Sequence, residues 1–200
     1  MEATPPMTDG SDATFDVLFV CTGNVCRSPM GERLMSARAG SPVLRVASAG
    51  THALAGWGMD APSAQVLREH GGDPDGFVAR QLTDDMVASA QLVLTASTKH
   101  RSIVLRQTPA AMRCVFTLRE FARLASGAAD FEPDDPNTAP AQVLAQRVAH
   151  VAAQRGRRGV ARGNDNIGDP FGAPMSEVQR VGAQISDAVS ATLRGLGLAA

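Results

Sequence analysis

The stretch Val17-Leu18-Phe19-Val20-Cys21-Thr22-Gly23-Asn24-Val25-Cys26-Arg27-Ser28-Pro29 constrains the chain more than any other. Its first four residues, apolar and partly β-branched, read as a short buried strand. Pro29 reads as a helix opening, because its missing N–H costs nothing in the first turn. A strand, a tight turn and a helix start gather backbone N–H groups and the positive end of a helix dipole at one spot. Such a spot is an anion cradle. Gly23 suits a turn position with positive φ, and Asn24 tolerates the left-handed region and can brace the turn with its side chain. Cys21 ends the strand, and Arg27 stands six positions later. A thiol reacts as its thiolate, which a helix N-terminus and a guanidinium both favour. Arg27 offers a planar fork of donors matched to two oxygens of one oxyanion, and Ser28 can donate to the sulfur.

The remaining pattern alternates strands with helices. Strands are expected at residues 16–20, 43–47, 91–95 and 112–117. Helices are expected at 29–39, 61–70, 84–88, 98–106, 118–124, 141–154 and 176–193. In the last of these, Ser176 is placed to cap the start, and Val178, Val181, Ile185, Val189 and Leu193 keep one face apolar. This order predicts an α/β fold, a four-stranded parallel sheet with helices on both faces. Ligands of such sheets bind beyond the carboxyl ends of the strands, where the strand order reverses, and the Cys21 turn lies at such an end. Residues 1–14 read as a disordered tail and 15–200 as one domain, with a longer segment at about 127–166. That segment holds an acidic, Pro-rich loop and a Gly/Arg/Asn loop. In the latter, Arg155, Arg157, Arg158 and Arg162 read as solvated, or as contacts for acidic residues around a ligand.

A net charge of -1 gives no reason to expect nucleic-acid or membrane-surface binding. No apolar run nears spanning length, and the first residues lack the basic start and apolar core of a signal peptide, so a cytoplasmic protein is expected. Cys21, Cys26 and Cys114 are too few for a disulfide framework. His52, His70, His100 and His150 show no metal-ligand spacing.

The segment VCTGNVCRSPMGE, with its Cys-(x)5-Arg-Ser core, resembles the active-site loop of the low-molecular-weight protein tyrosine phosphatases. Ser48-Ala49-Gly50-Thr51 resembles the turn after that family's second strand, and Asp169-Pro170-Phe171-Gly172 resembles its general-acid loop. The resemblance runs from roughly residue 15 to 195, patchily between about 125 and 165. It implies a three-layer α/β/α domain that hydrolyses phosphotyrosine in proteins through a cysteinyl-phosphate, without cofactor or metal. Cys21 would be the nucleophile. Thr22, Gly23, Asn24, Val25, Cys26, Arg27 and Ser28 would hold the phosphate, and Asp169 would serve as acid and then base. Ser48 would support the loop through Asn24, and Trp57 and Phe171 would form walls beside the substrate ring. Cys26 would be a reversible disulfide partner of Cys21, and Cys114 inert core in the fourth strand. The implied partner is a tyrosine-phosphorylated protein, a protein kinase among the candidates.

Three departures from the family pattern stand out. Thr95-Ala96 replaces a Met-Asp pair that helps anchor the loop, the segment before Asp169 is long, and Gly172 replaces a second aromatic. Asp130, Asp134 and Asp135 are rival acids without an aromatic neighbour. Three other activities compete. An arsenate reductase needs a relay of further cysteines, and only Cys114 lies beyond the loop. A phosphoarginine phosphatase carries Thr before the inner cysteine, where this chain has Val25. A non-catalytic phosphoprotein-binding module would keep the cradle and lack turnover.

Overall fold

The computed structural model describes residues 14–128, 131–133, 135–155 and 164–198. The expected tail up to residue 13, the rival acids Asp130 and Asp134, and Arg157, Arg158 and Arg162 lie outside the described residues. In chain order the elements are β1 (Phe15–Cys21), α1 (Arg27–Arg38), β2 (Leu44–Gly50), α2 (Ala61–Glu69), α3 (Asp84–Ser89), β3 (Leu92–Thr95), α4 (Thr98–Gln107), β4 (Val115–Thr117), α5 (Leu118–Ala125), α6 (Pro140–Ala153) and α7 (Met175–Gly195). A short 3-10 helix, Pro109–Arg113, precedes β4.

The four strands form one parallel sheet in the order β2-β1-β3-β4. Side chains of β1 alternate between two cores, as period-two geometry requires. Phe15, Val17 and Phe19 join Leu92, Leu94 and Phe116 beneath α1, α5, α6 and α7. Leu18 and Val20 join Val93 and Val115 against Val87 of α3 and Val104 of α4. The sheet is thus covered on both faces, which explains why β1 reads as an unbroken apolar run. The chain leaves β1 for β2 on one side, and β3 and β4 lie on the other. The reversal of strand order falls at the carboxyl end of β1, where Cys21 sits.

Helix starts follow local capping chemistry. The side chains of Asp60, Thr83 and Ser97 accept from Ser63, Met86 and His100 N–H, and Thr117 and Glu120 form a reciprocal capping box at α5. Three of the boundaries that differ from the sequence expectation change the place of a named residue. First, α1 begins at Arg27, so Pro29 is its third residue, still within the turn whose N–H groups have no intrahelical partner. Second, α7 begins after Pro174, whose lack of N–H suits a chain entering a helix, and Ser176 lies inside the first turn rather than capping it. Third, β4 is shorter than the run 112–117. Pro109 opens the 3-10 helix, closed by Ala111 N–H to Thr108 O and Cys114 N–H to Ala111 O. Cys114 therefore sits, partly buried, at the end of this turn instead of inside the strand, and burial pushes its thiol pKa up.

The long segment contributes a real element. Ala141, Leu144, Val148 and Val151 line the buried face of α6 and complete the larger core. Arg155, just after it, is not a solvated loop residue. Its guanidinium lies 3.7 Å over the Phe116 ring, pairs with Glu120 at 2.9 Å and donates to Val115 O at 2.7 Å and Met112 O at 3.1 Å. It staples the end of α6 to β4 and α5. Among the described residues no helix is long and apolar enough to cross a membrane.

The closest approach that matters to the site is between α1 and β1. A Cβ added at Gly31 would fall 2.5 Å from a ring carbon of Phe19, which is fully packed. Gly31→Ala is expected to destabilise the fold by about 1–3 kcal/mol through overpacking, measured as a lower urea midpoint at unchanged slope. Arg155→Ala should cost about 2 kcal/mol or more, from its charged hydrogen bonds and one cation–π contact, in the same assay.

Candidate active site

The loop between β1 and α1 is held from outside through its carbonyls. Cys21, Thr22, Gly23 and Val25 O accept from Thr51, His52, Leu54 and Asp60 N–H at 2.9–3.0 Å. Four carbonyls are thus bonded away to that segment, the arrangement that an anion nest of loop amides requires. The segment approaches so closely that a Cβ at Gly50 would sit 2.4 Å from Thr22 O, so only glycine fits there.

The left-handed residue of the loop is Asn24, with φ 55°, and not Gly23, whose φ lies outside that region. Asn24 is fully buried, and its amide is used completely. Its Nδ2 donates to Ser28 Oγ at 2.9 Å and to Ser48 Oγ at 2.8 Å, while its Oδ1 accepts from Arg80 N–H at 2.8 Å. Ser28 Oγ thus already accepts one proton. Its own hydroxyl hydrogen is free for Cys21 Sγ, 2.9 Å away, the nearer choice over Ala49 O at 3.5 Å. Ser48 Oγ in turn donates to the Glu32 carboxylate. Burial is the main cause that pushes the Glu32 pKa up, against the Ser48 hydrogen bond and the nearby Arg33 and Arg80.

Arg27 opens α1 and is 7% exposed. Its Nη2 lies 2.7 Å from Asp169 Oδ2, its Nη1 is 3.3 Å from Ile167 O, and its Nε has no partner among the described residues. The acid segment reaches the site because Ile167 N–H donates to Ala96 O at the end of β3. Asp169 Oδ1 accepts from Phe171 N–H at 3.3 Å, which fixes the turn that starts at Pro170. Asp169 is more than half exposed, while the arginine it faces is not.

These groups surround a cleft of about 190 Å³ lined by Cys21, Thr22, Gly23, Val25, Cys26, Arg27, His52, Leu54, Asp169 and Phe171. Trp57 does not line it. The Leu54–Trp57 turn, closed by Trp57 N–H to Leu54 O, points Leu54 into the cleft and leaves the indole 61% exposed. One wall is therefore aliphatic and the other, Phe171, aromatic. The rival acid Asp135 accepts from Asn137 within its own turn and makes no contact with the loop. Cys26 is buried beside Cys21, and desolvation drives its pKa up to about 12 against a hydrogen bond from Ser63, so it is a neutral thiol near pH 7.

Glu32, Leu54 and His100 join the site without having been singled out in the sequence. Glu32 carries a weak signal, since it lies four residues after Ser28 on the same helix face. His100 carries none. Its ring reaches Thr22 Oγ1 at 2.9 Å only because β3 pairs with β1. Among the described residues no group of three or more His, Cys, Asp or Glu is placed to hold a metal ion.

The geometry has close relatives. The probable low molecular weight protein-tyrosine-phosphatase AmsI of Erwinia amylovora is 43% identical over 93 residues, 46% of this chain and 63% of that protein. Etp of Escherichia coli is 41% identical over a stretch covering 62% of its length. The chain thus spans less than two thirds of these two relatives. The probable phosphatase EpsP of Ralstonia solanacearum is 34% identical over 140 residues, 70% of this chain and 89% of that protein. Two solved structures share the fold at 24% identity. They are the Erwinia amylovora tyrosine phosphatase AmsI, with a TM-score of 0.66 over 96% of this chain and 99% of that one, and the YwlE arginine phosphatase of Geobacillus stearothermophilus, with 0.67 over 92% and 93%. The sequence model described as "Low molecular weight phosphotyrosine protein phosphatase" matches residues 16–156, and this chain belongs to that family.

Proposed function

We propose that this chain hydrolyses phosphotyrosine in proteins through a covalent phosphoryl group on Cys21. The observation that carries the reading is the convergence of Cys21, Arg27 and Asp169 on one cleft, with Ser28 bonded to the sulfur behind it. The family match ends at residue 156, before Asp169. The role of that acid therefore rests on its 2.7 Å approach to Arg27, not on alignment.

The Cys21 thiolate attacks phosphorus in line, while the loop amides and the Arg27 fork hold the equatorial oxygens. The bond to the phenolic oxygen breaks, and Asp169, which takes up a proton from solvent once the phosphoryl oxygens replace it at Arg27, gives that proton to the phenolic oxygen. The phosphoryl oxygens compete with Asp169 for the guanidinium, so substrate binding itself turns the carboxyl toward the leaving group. Ser28 stabilises the sulfur first as attacker and then as leaving group. Water, deprotonated by Asp169, displaces Cys21 and releases phosphate. Phe171 supplies an aromatic wall for the phenol ring, with Leu54 opposite.

Val25 lines the cleft where a phosphoarginine enzyme is expected to place a threonine, which supports phosphotyrosine over phosphoarginine. The named phosphatases AmsI, Etp and EpsP agree with that choice. A relay of cysteines for arsenate reduction finds no support in Cys114, which is bonded within the turn before β4. The free thiols of Cys21, Cys26 and Cys114 accord with a reducing, cytoplasmic setting, and a phosphoprotein, a kinase among the candidates, accords with a cleft open on one side.

With an aryl phosphate as substrate, Cys21→Ser should abolish turnover. Asp169→Asn should keep KM within a few-fold and lower kcat by about 10²–10⁴ on poor leaving groups, with a smaller loss on good ones. Full activity of Asp169→Asn would assign the proton to another group. Iodoacetamide at pH 7 should label Cys21 and spare Cys26, because a thiol of pKa about 12 is almost wholly protonated there. Peptide mass mapping reads the outcome, and equal labelling of the two would refute it.

A further inference from the structure

The cradle has a support that the proposed chemistry does not use. His100 is 5% exposed and bridges two hydroxyls, with Nδ1 2.7 Å from Ser97 Oγ and Nε2 2.9 Å from Thr22 Oγ1. Ser97 caps α4, so its Oγ accepts from the His100 backbone N–H. The serine then has its own hydrogen to give, and the near acceptor is Nδ1. That places the ring proton on Nε2, from which it is donated to Thr22 Oγ1. The opposite tautomer would leave the Ser97 hydrogen without an acceptor among the described residues and would spend the Thr22 hydrogen on the ring.

We infer that His100 is a positioning residue, which fills the acceptor site of the Thr22 hydroxyl and so turns that hydroxyl's own hydrogen toward an oxyanion in the cleft. The inference rests on the phosphatase reading of the cleft. Thr22 lines that cleft beside Cys21 and Arg27, so the freed hydrogen is one more donor for a phosphoryl oxygen. The ring acts as a neutral donor. Desolvation first, then the Arg27 and Lys99 charges, hold its pKa down at about 4, against the opposing pull of Asp169. Those three groups face it from α1, from α4 and from the acid segment.

The test is a double-mutant cycle read by calorimetric binding of inorganic phosphate and by kcat/KM on an aryl phosphate. His100→Asn can still meet Ser97 but falls short of Thr22, and Thr22→Val removes the hydroxyl. Each should weaken phosphate binding and kcat/KM about three- to tenfold, the size of one hydrogen bond. The double variant should be no worse than the weaker single. His100→Gln, whose amide reaches the Nε2 position, should recover most of the loss. Its pH–rate profile should keep the wild-type limbs. Additive losses in the cycle, no effect of Thr22→Val, or a His100→Gln variant as weak as His100→Asn would overturn the inference. A wild type that binds phosphate without hydrolysing the ester would sink the phosphatase reading while the binding cycle still decides this one. A wild type that binds no phosphate would overturn both.

Discussion

The site depends on one buried amide. Asn24 takes the left-handed backbone that turns the loop, and its side chain ties together α1 through Ser28, β2 through Ser48 and the segment at Arg80. A buried amide with an unmet group costs about 1–3 kcal/mol, so satisfying all three of its bonds fixes the turn in a single geometry. That geometry also places Ser28. Asn24 donates to the serine oxygen, which leaves the serine's hydrogen available for the sulfur of Cys21, 2.9 Å away. The surroundings of that sulfur are thus set by a side chain that need never touch a ligand in the cleft.

Around that centre the fold supplies position. The reversal of strand order beside β1 leaves the loop free of a covering element, while two cores lock the strand beneath it. The Ala96 carbonyl at the end of β3 catches Ile167 N–H and so delivers the acid segment. This backbone bond needs no particular side chain at position 96, so it forms with Ala96 in place. Thr95 is itself anchored, its hydroxyl 3.0 Å from Ser97 O and 3.1 Å from Phe116 O, which share its one hydrogen. The segment from 127 onward, long as it is, adds α6 to the core and is stapled by Arg155, and the chain then returns to place Asp169 against Arg27.

Local signals made the sheet, its parallel sense and the loop legible in the sequence. The apolar run at 17–20, the turn residues and the spacing of Cys21 and Arg27 all act within a few residues. What stayed hidden depends on contacts between distant segments. Leu54 rather than Trp57 faces the cleft because a turn closed at Trp57 N–H sets which side chain points inward. Asn24 rather than Gly23 takes the positive φ because its three partners lie on other elements. His100 reads as an ordinary helical residue until β3 is laid against β1. Arg155 reads as solvated until Phe116 and Glu120 are brought beneath it.

The electrostatics of the cleft follow from which groups burial neutralises. Desolvation disfavours the charged form, so it raises the pKa of an acid and lowers that of a base. Cys26, at about 12, stays a thiol near pH 7, and His100, at about 4, stays an uncharged imidazole. Neither adds charge beside the loop, and Glu32 is pushed in the same direction, toward its neutral acid. Arg27 and Asp169 form the ion pair at the cleft. An oxyanion entering there meets a buried guanidinium whose Nε has no partner among the described residues and whose ion pair sits on a half-exposed carboxylate. The exposed partner is the cheaper one to displace, because water can solvate it as it leaves. In the proposed mechanism, the same asymmetry that lets the phosphoryl group take Arg27 sets Asp169 free for the proton transfer.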